Sequence, residues 1–148
     1  MIPRPALFLG LAGLIPFIAA AAVIALKPSL SLGGIEQPIL AYGQLVMLGY
    51  GQVILSFMSG VLWGFAAQHR RARYWPYVAS VLPALWVFFT AFLPQSDQYI
   101  TLCIGFAALL VLDFLFARAG LAPPWWMQLR VILTAVVMAC LAASIYYS

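Results

Sequence analysis

Tyr99-Ile-Thr-Leu-Cys-Ile-Gly-Phe-Ala-Ala-Leu-Leu-Val-Leu-Asp-Phe-Leu-Phe-Ala-Arg118 holds one acid, Asp113, and one base at its very end. A bilayer core about 30 Å thick is crossed by about 20 consecutive apolar residues in a helix, and this stretch has that length. It does not alternate in segments of about ten residues as barrel strands do. A helix also satisfies its own backbone polar groups in hydrocarbon, where water cannot. The segment therefore predicts a transmembrane helix.

Windows of the same kind recur on either side, at 6–26, 39–67, 74–93 and 125–147. The 148-residue chain is 66% hydrophobic and 7% charged, whereas a soluble domain carries about a quarter charged residues. The expected fold is all-α: a polytopic membrane protein forming one domain, 1–148, as a single bundle of five transmembrane helices. The connector 27–38 contains Gly33, Gly34 and prolines, which predicts an ordered turn region rather than a linker. The first window exceeds the h-region of a signal peptide, so it is expected to be retained.

Basic residues in short loops resist translocation and set orientation. Arg4, Arg70, Arg71, Arg73, Arg118 and Arg130 fall on one side of the five predicted crossings and Lys27 alone on the other. This predicts a cytoplasmic N-terminus and a periplasmic C-terminus in a bacterial inner membrane. Trp125 and Trp126 are then expected in the cytoplasmic aromatic belt. Arg70, Arg71 and Arg73 have the character of lipid-headgroup contacts, each contributing about 1 kcal/mol near an anionic leaflet. The basic balance thus explains topology and gives no reason to expect nucleic acid as a partner.

The second window carries most of the internal polarity. Gln52, Ser56, Ser59 and Trp63 share one helical face by their spacing of four, three and four. That face is expected to pack at the centre of the bundle or, alternatively, to line a cavity for a mostly apolar ligand. Ser56, Gly60 and Gly64 form small-xxx-small steps, which predict close helix packing. A continuous helix from Pro38 to Gln68 would be about 46 Å long, longer than the hydrocarbon core, so tilt, extension or a break is required. Gly49, Tyr50 and Gly51 are the natural place for a break. Their resemblance to a potassium-channel filter ends there, because Met47 and Leu48 stand where the filter has threonine and valine.

Asp113 lies five residues before Arg118, and Arg130 lies five after Trp125 on the next, antiparallel segment. The two are at nearly the same depth, so an intramembrane ion pair is expected across the last hairpin, offsetting part of the desolvation of both groups. His69 is the sole histidine, which excludes bis-histidine haem and multi-imidazole zinc within one chain. Cys103 and Cys140 lie in apolar windows and are expected to behave as small hydrophobes. No metal site and no complete catalytic set is visible.

The segments Gly10-Leu-Ala-Gly-Leu-Ile-Pro-Phe17, Tyr50-Gly-Gln-Val-Ile-Leu-Ser-Phe-Met-Ser-Gly-Val-Leu-Trp-Gly64, Ser80-Val-Leu-Pro83 and Gly120-Leu-Ala-Pro-Pro-Trp-Trp-Met-Gln-Leu-Arg130 together resemble the domain-of-unknown-function 3429 (transmembrane protein 69-like) family of small inner-membrane proteins. The resemblance implies that Tyr50, Ser56, Gly60, Trp63, Gly64, Pro83, Asp113, Pro123, Trp125 and Arg130 are motif positions. Leu62 departs from it, since a basic residue commonly precedes the Trp-Gly pair. The family brings no activity with it. The expectation is a non-enzymatic accessory or assembly factor for a larger inner-membrane complex, with bound lipid or quinone as its only cofactor-like group. The alternative is a small transporter or channel acting as a homo-oligomer, with a polar path along Gln52, Ser56, Ser59 and Asp113.

Overall fold

A computed structural model describes residues 1–26, 36–69 and 74–147. Arg70, Arg71 and Arg73, and the turn expected at Lys27, Gly33 and Gly34, lie outside the described residues. Among the described residues all regular structure is helical: α1 (Arg4–Ala12), α2 (Ile15–Leu26), α3 (Glu36–Gln68), α4 (Tyr74–Thr90), α5 (Gln95–Arg118) and α6 (Trp126–Tyr147).

The first window, expected as one uninterrupted helix, is divided. Gly13 and Leu14 form a turn between α1 and α2, just before Pro16. A proline supplies no N–H and its ring clashes with the carbonyl four residues back, so the helix cannot run through unaltered. The Tyr50 hydroxyl donates to the Gly13 carbonyl at 3.0 Å and so stabilises the break from outside. The glycines around Tyr50 behave in the opposite way to expectation. α3 continues through Gly49 and Gly51 for 33 residues, about 50 Å. Gly51 serves close packing instead, since a Cβ there would stand 3.0 Å from Leu102 Cδ1. The filter comparison ends with the helix, whose carbonyls are committed to its own ladder.

Arg4–Leu26, Ile39–Gln68, Gln95–Arg118 and Trp126–Tyr147 are long and apolar enough to cross a membrane. α4, with 17 residues, is shorter, yet it runs antiparallel to α5 over nearly the same depth. Trp75 meets Phe116 edge-on at 5.4 Å between ring centroids, and at the far end the Gln98 amide donates to the Ala91 carbonyl at 3.2 Å. About 27 Å of α5 separates those contacts. The bundle therefore consists of five rods, α1 and α2 sharing the first.

The rods close into a ring in which α2 packs on α3, α3 on α4, α4 on α5, α5 on α6 and α6 back on α2, with α3 also against α5. Phe17, Met47, Leu55, Leu62, Phe106, Phe116 and Leu141 fill the centre. Phe57, Phe88, Phe89, Phe92 and Val111 point outward, as suits a surface solvated by hydrocarbon.

Candidate functional site

The turn after α5 places the most polar part of the interior. α5 ends on a Schellman motif, in which Leu121 N–H donates to Phe116 C=O at 3.0 Å and Gly120 N–H to Ala117 C=O at 3.1 Å. Gly120 has a φ of 71°, a left-handed conformation that glycine adopts without a Cβ penalty. The chain then reverses through Pro123 and Pro124 into α6, bringing the ends of the two helices side by side.

Across that hairpin Arg130 Nε donates to Asp113 Oδ2 at 2.6 Å, and the Trp126 indole N–H donates to Asp113 Oδ1 at 2.7 Å. Both carboxylate oxygens are thus engaged, and Asp113 and Arg130 are 1% and 3% exposed. The Arg130 guanidinium also lies 5.9 Å from the Trp126 ring centroid, and Phe65 of α3 packs edge-on against Trp126 at 4.9 Å. Trp126, read from the sequence as a residue of the interfacial belt, is the second donor to the acid. Its i, i+4 relation to Arg130 was the available signal.

Arg130 is only half satisfied. Its Nη2 and the Oγ1 of Thr134 are buried and without a hydrogen-bond partner. A buried donor left unpaired costs about 1–3 kcal/mol. Both residues line a cavity of about 210 Å³ between α1, α2, α3, α5 and α6, whose other walls include Gly10, Phe17, Ile54, Met58, Phe106, Leu133 and Val137. Thr134 carried no signal on its own, but it lies one turn beyond Arg130 on the same face.

The polar face of α3 is engaged by neighbouring helices. Gln52 Nε2 donates to Gln98 Oε1 at 3.2 Å, and Gln98 in turn donates to the Leu93 carbonyl at 2.7 Å. Ser59 donates a hydrogen bond to the Ser80 carbonyl, one turn before Pro83 in α4. Hydroxyls of adjacent helices satisfy carbonyls near a membrane proline in this way. Trp63 packs edge-on against Tyr77 at 5.1 Å and is exposed, while Ser56 is partly buried. None of Gln52, Ser56, Ser59 or Trp63 lines the cavity that holds Arg130.

The helix-packing expectation for Gly60 and Gly64 is corrected. A Cβ at either would meet nothing within 4 Å, so among the described residues no other helix approaches closely there. Close approach occurs at Gly43, where a Cβ would stand 2.9 Å from Val23, and at Gly105, where it would stand 2.6 Å from Leu55 Cδ2 and 3.2 Å from the Trp86 indole. Leu62, the departure from the family pattern, is fully buried in the core. His69 sits at the end of α3 with Nδ1 3.2 Å from the Phe65 carbonyl, outside the Asp113 cluster. Cys103 and Cys140 are free thiols.

Residues 2–146 match the family model described as "Protein of unknown function (DUF3429)". The chain is 32% identical over 149 residues to transmembrane protein 69 of Xenopus tropicalis, covering 99% of this chain and 55% of that protein. It is 30% identical over 140 residues to transmembrane protein 69 of Mus musculus, covering 90% of this chain and 52% of that one. The chain thus spans about half the length of these curated relatives. No solved structure matches.

Proposed function

Since the chain belongs to the DUF3429 family, we propose that this multi-pass membrane protein is a non-enzymatic accessory or assembly factor. It acts in a bacterial inner membrane, with its N-terminus cytoplasmic and its C-terminus periplasmic. It contacts a larger membrane complex laterally and holds a lipid or quinone for it.

The observation that carries this reading is the state of Asp113. It is the acid buried within the described spans, and both its oxygens are occupied by Arg130 and Trp126. General acid–base work needs a positioned titratable group facing its substrate, and an ion or proton path needs a carboxylate that can exchange partners. A locked carboxylate beside an apolar cavity favours holding over turnover. The test is purification in native lipid followed by mass spectrometry of what accompanies the chain. Stoichiometric subunits of a larger complex are the expected result. A chain that purifies alone and supports flux in proteoliposomes, abolished by Asp113→Asn, would overturn it in favour of the transporter reading.

A further inference from the structure

Resting on the reading that the protein holds a membrane amphiphile, we infer that the cavity beside Arg130 and Thr134 seats a head group presenting a neutral carbonyl oxygen. Arg130 Nη2 and Thr134 Oγ1 are its donors. Both belong to residues that line the cavity, and neither atom has a partner within the protein. A guanidinium is donor-only and a hydroxyl donates as well as accepts, so the missing partner is an acceptor.

Charge decides which kind of acceptor. Asp113 already neutralises Arg130 at 2.6 Å, so an anionic head would bring an uncompensated charge into a buried, balanced site, at a high desolvation cost. A carbonyl oxygen takes the two hydrogen bonds without that cost. The remaining walls, among them Phe17, Met58, Leu133 and Val137, suit a ring or the first segment of a hydrocarbon chain.

Size and access agree. The cavity holds about 210 Å³, less than the ~300–1,000 Å³ of sites that enclose a whole drug-sized ligand. It takes the head of a molecule whose tail stays outside. Leu9 and Phe57 stand at its rim and are 75% and 60% exposed on the hydrocarbon-facing surface, so entry is lateral from the bilayer. Arg130 lies about 6 Å along α6 from Trp126, close enough to the interface for a polar head to reach it.

Two kinds of molecule share this chemistry: a prenylated quinone and an ester-linked glycerolipid. The experiment takes the full chain, delipidated in detergent, and follows thermal unfolding by circular dichroism with three probes. These are a short-tailed alkyl benzoquinone, a diester phosphatidylcholine and its diether counterpart, which lacks ester carbonyls. A rise in Tm with the quinone, or with the diester and not the diether, supports the site and names the source. Thr134→Val, which keeps shape and removes the hydroxyl, should weaken the active probe about ten-fold in apparent affinity while leaving the probe-free Tm equal or higher. Val137→Phe should block binding by filling the cavity. Equal rises from diester and diether with none from the quinone, a response untouched by Thr134→Val, or no shift with any probe overturns the inference. The partner reading fails separately: probe binding by a chain that never co-purifies with a complex retains the site and removes the accessory role, whereas a retained complex without probe binding does the reverse.

Discussion

The seams where α3, α4 and α5 meet and the foot of the α5–α6 hairpin both place polar side chains inside a hydrocarbon-solvated bundle, but they satisfy them differently. Along the seams, Ser59 and Gln52 meet acceptors on Ser80 and Gln98, and Trp86 donates to the Thr101 carbonyl at 2.9 Å. These bonds join helices to one another. At the hairpin the account does not close: both Asp113 oxygens are engaged, while Arg130 and Thr134 keep unpaired polar atoms beside a cavity. The polar groups with protein partners hold the bundle together; the two at Arg130 and Thr134 stand beside a cavity.

The sharpest way to break this comparison is at the hairpin. Asp113→Ala leaves the Arg130 charge buried and the Trp126 N–H unpaired, which costs roughly 3–5 kcal/mol. The Tm in detergent should fall further than for any seam variant, and a fall no larger than theirs would contradict the assignment. Next comes packing at the seams. Gly105→Val drives new methyls into Leu55 and Trp86 and should cost about 1–3 kcal/mol, whereas Gly60→Ala faces open space and should be neutral or gain up to about 1 kcal/mol from helix propensity. Comparing the two Tm values separates close approach from a mere run of small residues.

Ser59→Ala has a smaller effect. It removes the donor to the Ser80 carbonyl beside Pro83, a loss of about 1 kcal/mol, and amide exchange in the middle of α4 should quicken. The smallest change is Thr134→Val without any ligand. Since it deletes an unpaired hydroxyl, the unfolding midpoint should stay level or rise slightly, the reverse in sign of Ser59→Ala.

Much of this architecture was legible because hydrocarbon imposes length. Apolar windows located all five rods, and counting residues from Arg118 and Trp125 placed Asp113 and Arg130 at one depth. Direction within the bundle was not legible. In helices apolar all round, periodicity aligns Ser56, Gly60 and Gly64 without saying whether the stripe faces in or out, and Gly60 is exposed. Trp126 shows the same limit, since an indole suits both an interface and a buried acceptor. The breaks were misplaced for a different reason. Glycine at 49 and 51 permits a bend but does not force one, whereas Pro16 removes a hydrogen bond outright. The cavity at Thr134 depends on how four rods meet, and no local pattern encodes that.

The most direct test of the central claim, that Asp113 and Arg130 form a closed structural pair and not a working acid, is a double-mutant cycle on thermal stability in delipidated detergent. Asp113→Leu and Arg130→Met alone should each destabilise strongly, and the two combined should recover most of the loss, because apolar side chains of similar volume replace a buried ion pair at little net cost. Additive losses, with the double variant as unstable as the sum of the singles, would contradict the account.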